Sequence, residues 1–422
     1  MKNIISNFDT LAITQSRKNA LEIIEAGYTA VDTISVVKKK ISLENGILSI
    51  QGNEYFLNDY DRIFVLGFGK AAGKAAQALE EILGDELDGG IVIDKYTSAC
   101  KVVDVYQGSH PRSSSYNFEI SQKIADLAEN LTEKDLSIVI VSGGGSALLC
   151  WPMTECDQSN HLYNSFLSAG GNIEELNTLR KHISGIKGGG LAKLLYPATV
   201  ASIIFCDVPG GHFDEVASGP TYLDTTTISG AEKLLEKYNI KNIFSFNETP
   251  KDPKYFSKVT NIPFVSNKEA LQAMEVKCID LGYEVINLGD EVYDSPKVFL
   301  EKAKKVLAPK SVVMAGGELS IVLEREIGIG GRNFYVASEA ISIISDTDTF
   351  VSFATDGIDN KSIGAGAVVD IETKRKLEEK NLNSKEYHDE DKDSELFIEI
   401  GDAIITGDTG RNVSDLYILL QA

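Results

Sequence analysis

Five times along the chain, a run of β-branched and apolar residues ends in glycines with a small hydroxyl or a charged residue beside them. The clearest is Ile138-Val-Ile-Val-Ser-Gly-Gly-Gly-Ser146; the others end at Gly67-Phe-Gly-Lys70, Asp207-Val-Pro-Gly-Gly211, Ala315-Gly-Gly-Glu318 and Thr355-Asp-Gly357. Strand, glycine loop and helix in that order present backbone N–H groups and a positive helix end to an anion. One such loop is common. Five point to a ligand rich in phosphate and carboxylate oxygens, and so to phosphoryl transfer.

The loops differ in the chemistry they carry. Gly67-x-Gly-x-x-Ala72 matches the permissive dinucleotide fingerprint, and Asp94 at the end of the next strand has a fitting offset, so an NAD-dependent reductase is one rival reading. Against it, Lys70 stands at a helix N-terminus, where its charge opposes the helix dipole unless an anion is bound. The spacing of a P-loop occurs nowhere. Gly69, Ser142, Gly143, Gly144, Gly145 and Ser146 form the expected phosphate-binding set. The segment Leu179-Arg-Lys-His-Ile-Ser-Gly-Ile-Lys-Gly-Gly-Gly190 gathers Arg180, Lys181, His182 and Lys187 in an otherwise acidic chain, the composition of a carboxylate or phosphate clamp. Of these, Lys187 is expected at both phosphate and acceptor, and Arg180 at the acceptor. Asp207 and Asp356 end strands where Mg²⁺ or a substrate hydroxyl would be met. Arg332, in Gly330-Gly-Arg-Asn333, can stabilise charge on a transferring phosphoryl group. Glu318 and Asn333 join the expected nucleotide contacts. Near the C-terminus, Thr406-Gly-Asp-Thr-Gly-Arg-Asn-Val413 reads as another polar glycine loop before a short helix. No Ser–His–Asp grouping competes, and the five histidines are scattered.

The elements that must carry these loops alternate. A helix is expected from Ser16 to about Lys40, then a hairpin turning at Gly52-Asn53. Strands at Arg62–Leu66, 90–93, 102–106, 138–141 and 198–205, with an alanine-rich helix at 71–83, predict a parallel sheet covered by helices. Asn247–Asn261 is the best linker candidate. Beyond it, a helix from Lys268 and strands at 284–288, 312–315, 320–323 and 350–354 predict a second α/β set. The polar run 374–393 reads as a solvated helix and loop.

At 422 residues the chain exceeds one ordinary core. Its formal charge of −21 argues against nucleic acid and acidic membrane as partners. No window approaches the ~18–20 apolar residues of a membrane span, and the first residues lack a signal-peptide pattern, so a cytoplasmic protein is expected. Five cysteines with no Cys-x-x-Cys pair argue against a disulfide framework or structural zinc, and read as small apolar residues.

Taken together, the motifs resemble the glycerate 2-kinase family, the two-domain kinases of the MOFRL type. The matching segments are Gly67-Phe-Gly-Lys-Ala-Ala72, Val141-Ser-Gly-Gly-Gly-Ser-Ala-Leu-Leu149, Leu179 to Gly189, Asp207-Val-Pro-Gly210, Ala217-Ser-Gly-Pro-Thr221, Gly316-Gly-Glu318, Gly330-Gly-Arg-Asn333, Ala354-Thr-Asp-Gly-Ile-Asp359 and Thr409-Gly-Arg-Asn-Val413, in family order. The resemblance implies a Rossmann-like parallel-sheet domain over residues 1–246, a smaller α/β MOFRL-like domain over 247–422, and an active site in the cleft between them. It implies phosphorylation of D-glycerate by ATP with Mg²⁺, with 2-phosphoglycerate the favoured product. Lys70 and Arg332 look like the family's catalytic basic pair, with Asp207 as a catalytic carboxylate, Asp207 and Asp356 toward the metal, and Arg180, Lys187 and Arg332 toward the acceptor. A homodimer is left open. The chain departs from the family at Phe334-Tyr335, Gly211-His212, Asn360–Ile363 and the stretch after His110-Pro111, which points to a divergent branch. Two rivals stand beside this reading: an NAD-dependent hydroxypyruvate reductase, and a non-catalytic sugar-phosphate-binding module.

Overall fold

The computed structural model describes residues 3–321 and 328–422. By packing, the chain forms two compact units. One comprises Thr33–Cys206 and His212–Phe264; the other comprises the chain up to Asp32, Asp207–Gly211 and Val265–Ala422. The packing units therefore do not follow a single cut at 246/247. The reason lies in the helix Gln15–Ala30. It buries Ala20, Leu21, Ile23, Ile24 and Tyr28, and its fully buried Arg17 bonds Asp370, Thr373 and Asp402 of the C-terminal sequence. The single helix expected from Ser16 to Lys40 is two, Gln15–Ala30 and Thr33–Lys40.

In the first unit a small antiparallel sheet comes first: β1 (Ile41–Glu44), β2 (Ile47–Ile50) and β3 (Asn53–Phe56). Its two-residue turns, Asn45-Gly46 and Gln51-Gly52, have positive φ throughout, as tight hairpins of this twist require. Six further strands form the main sheet: β4 (Arg62–Phe68), β5 (Gly89–Asp94), β6 (Val103–Gln107), β7 (Asp135–Ser142), β8 (Thr199–Phe205) and β9 (Val259–Val265), in the order β6-β5-β4-β7-β8-β9. β4 pairs in parallel with β5 and β7, β5 with β6, and β7 with β8. Every residue of β7 is buried, as expected of a central strand covered on both faces. The chain runs outward from β4 to β6 and then crosses to β7, so the order reverses between β4 and β7. This is the topological switch point at which doubly wound sheets bind ligands. The stretch read as a linker leads into β9, an edge strand that tolerates Pro263.

The second unit holds a mixed sheet. Its strands are β10 (Glu284–Asn287), β11 (Ser311–Gly317), β12 (Asp348–Ala354), β13 (Gly366–Val369), β14 (Ala403–Ile404) and β15 (Asp415–Gln421), ordered β10-β11-β15-β12-β13-β14. β10 and β11 are parallel, whereas β15 runs antiparallel to both β11 and β12. The short helix expected after Val413 is instead β15, a central strand buried from Asp415 to Leu420. The strand expected at 320–323 runs into residues outside those described. The helix Arg332–Ile343 packs on this sheet through Phe334, Val336, Ala337 and Ala340. Cys150 and Cys156 are disulfide-bonded, with Cα atoms 5.4 Å apart. This corrects the reading of all cysteines as unpaired: the turn at Trp151-Pro152 brings two residues six apart within bonding reach. Among the described residues no helix is long and apolar enough to cross a membrane.

Candidate active site

At the switch point of the first unit, the loops after β4 and β7 are bonded to each other. The Lys70 N–H donates to the Gly143 carbonyl at 2.9 Å, and the Ala71 N–H to Ser142 Oγ at 3.2 Å. Gly69 has φ +113°, and a Cβ there would lie 2.2 Å from Ser142 Oγ, so only glycine allows this approach. Two amides of a loop expected to present bare N–H groups thus join loop to loop, and Gly69 and Ser142 act through that joint. What the joint presents is Gly144, at φ +80°. A Cβ on Gly144 would sit 3.0 Å from His110 Nε2 and 3.3 Å from Lys70 Cγ. Lys70 and His110 therefore flank the glycine of the loop Gly143-Gly-Gly-Ser146. His110 was not singled out by its sequence context.

Asp94, the acid at the ribose position of a dinucleotide fold, is committed elsewhere. It is buried, and its two oxygens accept from the Gly73 N–H at 2.8 Å and the Tyr96 N–H at 3.1 Å. It caps the helix Ala72–Leu83.

A partly buried polar network runs on from Ser146. Its hydroxyl lies 3.0 Å from Ser218 Oγ, which donates to Asn177 Oδ1 at 3.1 Å. The Asn177 amide donates to Glu215 at 2.9 Å, and Glu215 also pairs with Lys181 at 3.2 Å. Ala217, Ser218 and Gly219 are consecutively left-handed, with φ of 51°, 61° and 62°. Each of the two non-glycine residues stores on the order of 1–3 kcal/mol of strain, a cost found where surrounding structure imposes a functional geometry. Arg180 touches this network through Asn177 Oδ1 at 3.4 Å and lies over the Tyr163 ring. Among the described residues no carboxylate pairs with it. Burial lowers its pKa from the ordinary arginine value, the condition of a guanidinium that an anion would satisfy.

Lys187 is placed differently from the clamp expected of it. It is fully buried, ion-paired with Glu155, and donates to the Leu149 carbonyl at 2.7 Å. Burial lowers the lysine's pKa and raises the glutamate's. The pair ties the glycine segment to the helix Met153–Ser168, with the Ser184 hydroxyl also bonded to Glu155 at 2.7 Å. His182, likewise buried, bonds the Asn247 carbonyl and Thr226.

In the second unit, Arg332 opens its helix after Gly331, whose φ is +132°. Its Nη1 donates to Asp415 Oδ2 at 2.9 Å, and its Nη2 pairs with Glu318 Oε2 at 3.0 Å. Burial opposes the guanidinium charge, but the two carboxylates outweigh it and raise its pKa. Glu318, expected at the nucleotide, thus holds Arg332. Asn333, also expected there, is fully buried and accepts from Ser352 at 2.6 Å, turned into the sheet. Burial, with the charge of Asp415 beside it, pushes the Asp359 carboxyl up to about 8; its Oδ2 accepts from the Phe334 N–H at 3.0 Å, capping the same helix. Asp207 accepts from the Asn412 amide at 3.0 Å, and the Asp356 carbonyl accepts from the Thr409 N–H at 3.1 Å. The loop Thr409–Asn412 thereby bonds both aspartates. Asp415 escaped sequence reading because it opens an apolar run at the chain's end.

Sheet order and switch-point loops place the first unit in the doubly wound α/β class. Residues 19–247 match the family model described as a domain of unknown function, DUF4147, and residues 311–415 match that of the MOFRL family. The chain belongs to this DUF4147–MOFRL family. It is similar to the D-glycerate 2-kinase of Thermotoga maritima, with 30% identity covering 95% of this chain and 97% of that protein. It is also similar to a protein of Agrobacterium vitis named putative hydroxypyruvate reductase, with 31% identity over 85% of this chain and 87% of the other. Among solved structures, the glycerate kinase of Thermotoga maritima superposes with a TM-score of 0.80 at 28% identity, covering 96% and 99% of the two chains.

Proposed function

We propose that this protein is a glycerate 2-kinase, transferring the γ-phosphoryl group of ATP to the 2-hydroxyl of D-glycerate. The observation that carries the reading is the switch point itself, where Lys70 lies against Gly144 at the head of the glycine loop. An ammonium on that stem meets phosphoryl oxygens as they carry developing charge. The reductase reading, which the Agrobacterium name favours, needs Asp94 on a ribose; that carboxylate is buried and turned to the Gly73 and Tyr96 N–H groups.

In this mechanism Lys70 and Arg332 supply positive charge to the phosphoryl oxygens, whose charge shifts as the bond to ADP breaks. Arg180 takes the glycerate carboxylate, an anion that no carboxylate among the described residues supplies to it. Among the described residues no three His, Cys, Asp or Glu side chains form a metal-ion group. A magnesium ion that arrives on nucleotide phosphates needs only one or two protein carboxylates, and oxygen-only donors suit it. Asp207 and Asp356 fit that role, where bound magnesium would neutralise phosphate charge. One of these two carboxylates accepts the proton of the attacking hydroxyl. The partners proposed are ATP and D-glycerate.

Lys70→Ala and Arg332→Ala should each lower kcat for ADP release at least a hundredfold while the circular dichroism spectrum is unchanged. Near-normal turnover in both would remove the pair from the mechanism.

A further inference from the structure

We propose that Asp415 is the residue that positions Arg332 for phosphoryl transfer; this rests on the kinase reading of the site. Three observations converge on it. First, Asp415 begins the central strand β15 with Gly317 and Ala354 as its ladder neighbours. It therefore sits between the end of β11, which leads to Glu318, and the end of β12, which leads to Asp356. Second, its Oδ2 takes one edge of the Arg332 guanidinium at 2.9 Å, and the Tyr417 hydroxyl lies 3.5 Å from the same oxygen. Third, the two carboxylates on Arg332 are unequal. The Asp415 side chain is 10% exposed on a fixed strand, whereas that of Glu318 is 41% exposed beyond a strand end.

An arginine on a long flexible stem has little direction of its own, and a fixed acceptor on one edge of its planar fork supplies it. Asp415 is that acceptor. An incoming phosphoryl group competes for the other edge, the one now on Glu318. Burial pushes the Asp415 carboxyl up to about 6 against the pull of the Arg332 guanidinium, so loss of Arg332 would leave a buried carboxylate without its cation. Asp415 touches no substrate in this account. Its effect on phosphoryl transfer runs through Arg332.

The test is a double-variant cycle. Asp415→Asn keeps the shape and removes the charge; kcat with Mg·ATP and D-glycerate should fall ten- to a hundredfold, with KM for glycerate within threefold. In an Arg332→Ala background the same change should cost less than a further twofold, because the residue it acts through is gone. Asp415→Glu should recover part of kcat. Losses that multiply in the double variant would overturn the proposal, since they mean an independent role. A readout without turnover separates this from the kinase reading, whose own failure would be a wild-type chain releasing no ADP. In nitrogen NMR the Arg332 guanidinium should give resolved Nη signals in the wild type that merge in Asp415→Asn as rotation is freed. Signals unchanged by the substitution would overturn the clamp whatever the activity.

Discussion

Replacing Gly144 with alanine separates backbone strain from the placing of Lys70. At φ +80° an alanine pays the left-handed penalty, roughly 1–2 kcal/mol. Its Cβ would also stand 3.0 Å from His110 Nε2 and 3.3 Å from Lys70 Cγ, so both side chains must retreat by a few tenths of an ångström. Both are movable, so the stability loss should stay near the strain alone, about 2–4 °C in melting temperature per kcal/mol for a unit of this size. The ammonium, at the end of the displaced stem, moves further than Cγ does. A misplacement approaching 1 Å can cost on the order of a hundredfold in rate. Gly46 supplies the control: its φ is +75° and nothing lies within 4 Å of a Cβ there. Gly144→Ala and Gly46→Ala should therefore melt at similarly lowered temperatures, but only Gly144→Ala should lose kcat, by ten- to a hundredfold in ADP release. Equal kcat in the two variants would refute the claim that this loop places Lys70 for chemistry.

Arg17→Met leaves Asp370 buried without its cation and Asp402 with Lys376 alone, and should destabilise by about 3–5 kcal/mol in urea unfolding; an unchanged midpoint would show that the clamp does not hold the helix Gln15–Ala30. Asp359 keeps its proton to about pH 8 in the folded chain, whereas an unfolded aspartate releases it near 4. The native state binds the extra proton between those values, so this group's contribution to stability falls as pH rises from about 4 to about 8 and then levels. Asp359→Asn keeps an acceptor for the Phe334 N–H and should gain stability relative to wild type across that window; parallel stability curves would contradict the shift. Arg180→Ala should raise KM for D-glycerate more than tenfold with a smaller change in kcat, and an unaltered KM would take Arg180 off the carboxylate.

What the sequence makes legible is local. β4, β7 and the helix Ala72–Leu83 are apolar runs punctuated by glycine, and the loops that end them lie where the runs predict. β15 is also an apolar run, but a strand buried on both faces has no alternation, and periodicity cannot tell it from a short helix. Pairing across distance is not legible at all. Lys187 reads as a ligand because glycines surround it, whereas its partner Glu155 lies 32 residues earlier on the helix Met153–Ser168. Arg17 is matched by acids more than 350 residues away, which is why the first helix packs with the C-terminal sheet. Asn333 adjoins Arg332 in sequence and faces the core, whereas Glu318, on the earlier loop after β11, is the one that pairs with it.

The central claim is phosphoryl transfer to the 2-hydroxyl of glycerate, and the direct measurement is ADP release from Mg·ATP with D-glycerate, the product then being offered to enolase. The account predicts glycerate-dependent ADP release and a product that enolase consumes. ADP release no greater than in the glycerate-free control would contradict it.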